Sequence, residues 1–227
     1  APIWEFFRDS QNNLWVGTGT GEIIRKDALS GESRTYKPPS RAPGGEGPMP
    51  ATVAYQDTSG NIWFGTDNGV NLLNRSKKPF HYYPVQNTIN GQSVGIEVNR
   101  IIPGQSGIFW LGTHQGVIGY STEDGIIKSF KHQRNDPSSL LADKALDLYI
   151  DEFENLWIAT NKGINVWDSR TSSMHAFPAD FKSDTGLRSQ FTNCLGRACD
   201  GSFWVATWDG GLHEIMGDMR NIHSISF

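Results

Sequence analysis

The residues best suited to chemistry stand four or five positions after tryptophans that recur along this chain. They carry carboxylate, imidazole, amide and indole groups: Asp67, His114, Asn161, Trp208 and Asp209. An indole flanked by a carboxylate and an amide offers an apolar platform with hydrogen-bonding groups beside it, which suits a sugar ring. The alternative is that these residues are solvated tips of turns. Their position therefore predicts either a rim that binds a ligand or a set of turns without one.

A second set of charged residues stands ten positions before three of the same tryptophans. These residues are Glu5, Arg100 and Asp147. Because they occupy the same position in different repeats, they could together form the charged mouth of a channel. A glycoside-cleaving enzyme needs two carboxyl groups about 5 to 9.5 Å apart, and Glu5 with Asp147 is the candidate pair. The sequence gives no distance between them. An ion pair between Arg100 and Asp147 is the simpler alternative.

The elements that position both sets belong to a repeat. Five segments keep one pattern in register: NLWVGTGTG (13–21), NIWFGTDNG (61–69), IFWLGTHQG (108–116), NLWIATNKG (155–163) and SFWVATWDG (202–210). Their tryptophans stand at 15, 63, 110, 157 and 204, so they are 48, 47, 47 and 47 residues apart. A fixed period of this size indicates a repeat architecture.

Each repeat is predicted to form four short strands separated by clusters of Gly, Asn, Asp, Ser and Pro. The five units span 1–37, 51–84, 97–132, 144–178 and 191–227. The longest connection, 38–50, is predicted to be a surface loop. The glycine six residues after each tryptophan is expected at the positive φ of a tight turn. Asp9, Asp57 and Asp151, six residues before a tryptophan, are expected to bind turn amides.

The alternation of side chains along the tryptophan strand predicts how the units pack. Trp63 and Gly65 share one face of the strand, while Ile62 and Phe64 share the other. A strand that is apolar on both faces must be covered on both, and the small residue leaves room for a neighbouring sheet. We therefore predict an all-β fold: a single-domain β-propeller over 1–227, with five four-stranded antiparallel blades of about 47 residues. An open solenoid is the weaker alternative.

Composition and motifs exclude several classes of function. The chain has 227 residues and a net charge of −4, so it lacks the basic field that binds nucleic acid. No apolar run reaches the roughly 18 residues of a membrane span. No metal-ligand spacing, phosphate-binding glycine loop or nucleophile elbow occurs, and we predict no cofactor and no metal.

The pattern DTSGNIWFGTDNGV (57–70), together with the connection NDPSSLLADKALDLYID (135–151), resembles the two-component regulator propeller repeat. This resemblance extends over the five units. It implies the periplasmic or extracellular sensor region of a membrane-anchored hybrid histidine kinase or diguanylate cyclase. It also implies an output domain beyond the C-terminal end of this chain, and several members of the family sense oligosaccharides.

Three hypotheses about function stay open at this point. The first is a sensor that binds an oligosaccharide or another small ligand, as a monomer or a homo-oligomer, and passes its occupancy to the output domain. The second is a carbohydrate-active enzyme, a glycosidase or lyase, with its site at the channel mouth. The third is a structural or protein-interaction propeller. We favour the sensor and predict that the protein is not an enzyme.

Overall fold

The computed structural model describes residues 1–38, 50–67, 69–73, 81–89, 92–105, 107–180, 186–216 and 221–225. Most of the predicted loop at 38–50 lies outside these residues. The described residues form strands and turns and contain no helix, which confirms the all-β prediction. The chain divides into two compact units, Ala1–Pro103 and Gly104–Phe227.

The first unit holds two four-stranded antiparallel sheets, a hairpin and one further strand. The strands are β1 (Ile3–Arg8), β2 (Leu14–Thr18), β3 (Ile23–Lys26), β4 (Ser33–Tyr36), β5 (Ala51–Gln56), β6 (Ile62–Thr66), β7 (Gly69–Leu73), β8 (His81–Pro84), β9 (Gln86–Ile89), β10 (Gln92–Gly95) and β11 (Val98–Pro103). The first sheet has the order β1-β2-β3-β4 and the second has the order β5-β6-β7-β8, while β9 pairs with β10. The hairpin β9–β10 falls between predicted blades and was not expected.

The second unit continues the repeat. Its strands are β12 (Ile108–Thr113), β13 (Gly116–Ser121), β14 (Gly125–Phe130), β15 (Ala145–Ile150), β16 (Leu156–Thr160), β17 (Gly163–Asp168), β18 (Ser173–Pro178), β19 (Thr192–Arg197), β20 (Phe203–Thr207), β21 (Leu212–Met216) and β22 (Asn221–Ile225). Strands β15–β18 form the fourth sheet and β19–β22 the fifth, both antiparallel and numbered by their repeats. Because the third repeat is divided between the two units, the count of five blades stays a prediction.

Neighbouring sheets within a unit pack the tryptophan face of one sheet on the aliphatic face of the next. Trp15 is 2% exposed, and its ring centroid lies 6.2 Å from that of Phe64 in the second sheet. In the second unit, Trp157 of the fourth sheet shares a buried cluster with Val205 of the fifth. This is the arrangement that the alternation predicts, and each such buried side chain contributes about 1.5 to 3 kcal/mol.

The small residue two positions after the tryptophan is required by this packing. A Cβ atom added to Gly65 would lie 2.6 Å from Val53 Cγ1 and 3.0 Å from Val98 Cγ1. At the equivalent Gly17 it would lie 2.8 Å from the Cβ of Ala51 in the second sheet. The expectation that a small residue makes room for a neighbour is confirmed.

An aspartate closes the turn before three of the tryptophan strands. Asp9 accepts hydrogen bonds from the amides of Gln11 and Asn13, as predicted, and also from the indole Nε1 of Trp15 at 2.9 Å. The same indole bond joins Trp63 to Asp57 and Trp157 to Asp151. In the fifth repeat, where Ala198 replaces the aspartate, the indole of Trp204 donates to Ser202 Oγ at 2.7 Å. Every one of these indole donors is therefore satisfied.

A β-bulge interrupts the first strand of four sheets at the same position of the repeat. The extra residues are Trp4, Thr52, Leu146 and Asn193. A bulge bends its strand and re-aims the neighbouring side chains. In these four sheets, one residue of the first strand thus escapes the regular pairing.

Candidate functional site

A cleft of about 360 Å³ opens between the fourth and fifth sheets, within the second unit. We call it the aromatic cleft; its lining residues are Lys144, Leu146, Asn161, Phe191, Asn193 and Trp208. All six stand at one end of the sheets, because they belong to the β16–β17 and β20–β21 turns or to the beginnings of β15 and β19. Sequence analysis predicted a binding rim at this end.

Trp208 lies on a turn that is longer than the equivalent turn of the fourth repeat. Four residues, 208–211, separate β20 from β21, whereas two separate β16 from β17. Positive φ was expected at Gly210, and this is wrong: Gly211 takes it, at 81°. Gly210 instead fits tightly against the preceding segment, since a Cβ there would lie 2.8 Å from Ser189 Cβ. The indole of Trp208 is left 78% exposed.

Hydrogen bonds fix the aromatic wall of the cleft. The amide of Trp208 donates to the carbonyl of Phe191 at 3.0 Å. The amide of Phe191 in turn donates to Ser189 Oγ at 3.1 Å, and Ser189 is itself buried. Phe191 is 40% exposed beside Trp208. The backbone of both aromatic residues is therefore held in place before any ligand arrives, which lowers the entropic cost of binding.

The opposite wall is the β16–β17 turn, which carries Asn161. Thr160 Oγ donates to the carbonyl of Gly163 at 2.8 Å and closes the turn. The hydroxyl of Thr192, at the start of β19, lies 2.6 Å from the carbonyl oxygen of Thr160 and 3.0 Å from that of Gly163. Because Thr192 is fully buried, this contact ties the two walls together at the base of the cleft. Asn161 Oδ1 is a buried acceptor with no hydrogen-bond partner among the described residues.

The bulges supply two further lining residues. Leu146 and Asn193 are the extra residues of β15 and β19, and both line the aromatic cleft. Lys144 stands just before β15 and is exposed. The cleft thus combines an aromatic wall, two side-chain amides and one ammonium group.

Of the residues predicted at the turn tips, Asn161 and Trp208 meet in this cleft and the others do not line it. Asp209 and His114 are exposed, the latter on the β12–β13 turn. Asp67 is half-buried on the β6–β7 turn of the first unit. A role in binding stays a prediction for all five.

Asp147, from the second predicted set, is engaged with the protein backbone. It is 4% exposed, and its Oδ2 accepts a hydrogen bond from the amide of Leu195 in the fifth sheet at 2.8 Å. Its Oδ1 accepts from the amide of Leu148 at 2.9 Å. The carboxylate therefore joins the inner strands of two adjacent sheets.

Glu5 occupies the equivalent place in the first unit. Burial raises the pKa of Glu5, against the opposing effects of a hydrogen bond from the amide of Ala54 in the second sheet and of the Arg100 charge. Ala54 and Leu195 stand on the corresponding strands β5 and β19, so Glu5 and Asp147 make the same kind of contact. The ion pair between Arg100 and Asp147 would join the two units and stays a prediction.

A second cleft of about 400 Å³ lies at the opposite end of the fourth and fifth sheets. Among its polar groups, Glu152 pairs with Arg197 and Asp151 accepts the indole bond of Trp157, while Asn155 Oδ1 is a buried acceptor without a partner among the described residues. The aromatic cleft is the better candidate because two exposed aromatic side chains, Phe191 and Trp208, line it together. Within the described ranges, no cluster of three or more His, Cys, Asp or Glu side chains could hold a metal ion. The same part of the chain contains no helix of the length and hydropathy that crossing a bilayer requires.

Sequence reasoning missed Phe191 and Lys144 as lining residues. Each stands immediately before the first strand of a blade: Phe191 precedes β19 and Lys144 precedes β15. Both are the first residues of predicted units, 144–178 and 191–227, and this place at the start of a unit was the available signal.

Comparison with protein families finds one match, which covers part of the first two repeats. The profile of the family described as two component regulator propeller matches residues 1–20 and 45–68. The resemblance to two-component regulator propeller repeats is confirmed. No curated protein sequence matches the chain significantly.

Solved structures show the same fold as these propeller repeats. The extracellular domain of a hybrid two component system, BT4673 of B. thetaiotaomicron, aligns with a TM-score of 0.75 at 20% identity, over 100% of this chain and 30% of that one. The extracellular domain of a second such system, BT3049, aligns with a TM-score of 0.72 at 19% identity, over 99% and 28%. The WD40 beta propeller domain of Doa1 aligns with a TM-score of 0.63 at 13% identity, over 97% and 67%. The chain thus spans less than a third of the length of the two bacterial domains.

Proposed function

We propose that this chain is part of the extracytoplasmic sensor propeller of a two-component-type signalling protein and that it binds an oligosaccharide in the aromatic cleft. The observation that carries the proposal is the indole of Trp208, which is 78% exposed beside a cleft of about 360 Å³. Large exposed aromatic groups that line a concave surface are typical of binding sites.

The polar groups of the aromatic cleft support a sugar rather than an apolar ligand. Asn161 and Asn193 carry amides that can both donate and accept hydrogen bonds, as sugar hydroxyl groups do. A sugar that stacks on Trp208 and forms hydrogen bonds with these amides would contact both walls of the cleft.

We propose binding without catalysis. Hydrolysis by a glycosidase needs two carboxyl groups that reach the substrate, and both candidates are engaged elsewhere. Asp147 accepts backbone hydrogen bonds with both oxygens, and Glu5 accepts one from Ala54. None of the described residues that line the aromatic cleft carries a carboxylate.

The remaining parts of the proposal rest on the family and on the solved structures. The two bacterial neighbours are extracellular domains, which supports a periplasmic or extracellular location for this chain as part of a membrane-anchored protein. We propose that the sensor propeller has five blades or more and that its ligand acts on a signalling output domain. Transmission requires unequal ligand affinity for two states of the protein, for example two arrangements of a dimer.

A glycan array followed by calorimetry tests the function. Trp208→Ala should weaken binding of the best glycan by about 10- to 100-fold, the range that corresponds to about 1.4 to 2.8 kcal/mol. Phe153→Ala is the matched control, because Phe153 is also exposed, at 59%, but lines only the second cleft. If no glycan binds, or if Trp208→Ala binds as the parent does, the proposal is wrong and a protein-interaction propeller becomes the better hypothesis.

A further inference from the structure

The charge of the aromatic cleft narrows the class of its ligand. Lys144 is the one charged residue among the six that line it, and the other polar groups are the neutral amides of Asn161 and Asn193. A cleft whose one charged lining group is positive favours an anionic ligand over a cationic one.

The carboxylates nearest to Lys144 in the sequence are directed to other partners. Asp143 Oδ1 accepts a hydrogen bond from the amide of His132 at 2.7 Å. Asp147 binds the amides of Leu148 and Leu195. In the part of the chain that the structure describes, no ion pair includes Lys144. Its ammonium group can therefore face a ligand.

We propose that the aromatic cleft selects an oligosaccharide with an anionic group, a carboxylate or a sulfate ester, which pairs with Lys144 while a sugar ring stacks on Trp208. This inference rests on the proposed function. An ammonium group acts as a compact point charge, so it accepts either anion without the planar geometry that a guanidinium imposes. At a solvent-exposed site one such pair contributes a modest amount, and salt weakens it.

A matched pair of probes tests the charge directly. Trigalacturonic acid and its methyl ester share their rings and linkages, but only the acid is charged. Calorimetry at low salt should give the acid about three- to tenfold tighter binding than the ester. A sulfated disaccharide and its desulfated form make the second arm and distinguish sulfate from carboxylate recognition.

Variants assign the preference to Lys144. Lys144→Gln should abolish the preference for the anionic probe, and added salt should reduce it in the parent protein. Lys131→Gln is the control, because Lys131 is exposed in the same unit but does not line the aromatic cleft. Its preference should equal that of the parent.

The outcomes separate this inference from the proposed function. Binding that depends on Trp208 but is equal for charged and neutral probes overturns the inference and leaves the function standing. A preference that survives in Lys144→Gln also overturns it. If no sugar binds at all, the proposed function fails, and the inference fails with it.

Discussion

Replacing Asp9 by alanine should destabilise the first unit by about 3 kcal/mol. Oδ1 of Asp9 accepts two backbone amides, and Oδ2 accepts Asn13 Nδ2 and Trp15 Nε1, all at 2.9 Å. The amide of Gln11 is near solvent and can bind water. The amide and the side-chain Nδ2 of Asn13 and the indole of Trp15 are buried, since these residues are 3% and 2% exposed. Three buried donors without an acceptor, at about 1 kcal/mol each, give the expected loss.

Urea denaturation measures this loss. The urea midpoint should fall while the dependence of the unfolding free energy on urea stays constant. Asp27→Ala is the control: Asp27 accepts two backbone amides, from Leu29 and Ser30, and pairs with Arg25 at 2.7 Å, but it lies in an exposed turn and binds no indole. The free energy of unfolding of Asp27→Ala should fall by less than about 1 kcal/mol. If the two variants unfold at the same urea concentration, the buried indole bond does not stabilise the fold as argued.

Asp9 should also make the stability of the first unit depend on pH. Burial alone would raise the pKa of Asp9, but the hydrogen bonds from Trp15, Asn13 and Gln11 outweigh it and lower the pKa below the ordinary value. The stabilisation is therefore complete above the unfolded-state pKa and is lost as the pH falls through the folded-state pKa. Melting temperatures measured between pH 5 and pH 2 should converge for the parent and Asp9→Ala.

Three further changes test the packing, the link between sheets and a buried histidine. Gly65→Ala should lower the free energy of unfolding, measured by urea denaturation, by about 1 to 3 kcal/mol, because the new Cβ would lie 2.6 Å from Val53 Cγ1. Asp147→Asn should lower the free energy of unfolding by about 1.5 to 3 kcal/mol in the same assay. An amide has one oxygen, so it can accept only one of the two bonds from Leu148 and Leu195. Burial, and then the Arg188 charge, lowers the pKa of His213. The unfolded state therefore binds more protons than the folded state just below pH 6.5, and the melting temperature should fall with pH there, but less steeply in His213→Asn.

Matched variants decide these three cases. Gly196→Ala adds a methyl group in open space, and Asp209→Asn changes an exposed carboxylate, so both should be nearly neutral. His114→Asn removes an exposed histidine and should leave the pH dependence as in the parent. A control that loses as much stability as its partner, or an unchanged pH slope in His213→Asn, would refute the corresponding argument.

The sequence predicted the parts of the fold that depend on local chemistry. Alternation around Trp63 indicated two covered faces, and Gly65 indicated a close neighbour, because strand geometry places both without knowledge of the rest of the chain. The position of Asp9 before a turn likewise predicted its amide bonds. Its bond to the Trp15 indole was missed, since that contact depends on how the turn folds back over the strand.

The candidate site was predicted only in part, because it depends on contacts between segments distant in sequence. Trp208 and Asn161 were found from their place in the turn. Phe191 was missed because its position follows from the bond between its carbonyl and the Trp208 amide. The glycine prediction failed at Gly210 although the turn of the first repeat, which is equally long, has its positive φ at Gly21, six residues after the tryptophan. Two turns of equal length thus differ in which glycine takes the positive φ, and position in the repeat does not decide this.

The aromatic cleft belongs to the joint between two repeats. Lys144, Leu146 and Asn161 come from one repeat and Phe191, Asn193 and Trp208 from the next, while the Asp–Trp pairs and the small strand residues that fold each repeat lie outside it. A gene duplication that inserts one repeat would therefore create a new joint, with its own combination of turn tips and bulge residues. The ligand specificity of each cleft between two repeats can therefore evolve separately, because substitutions at a turn tip do not affect the residues that fold the repeat.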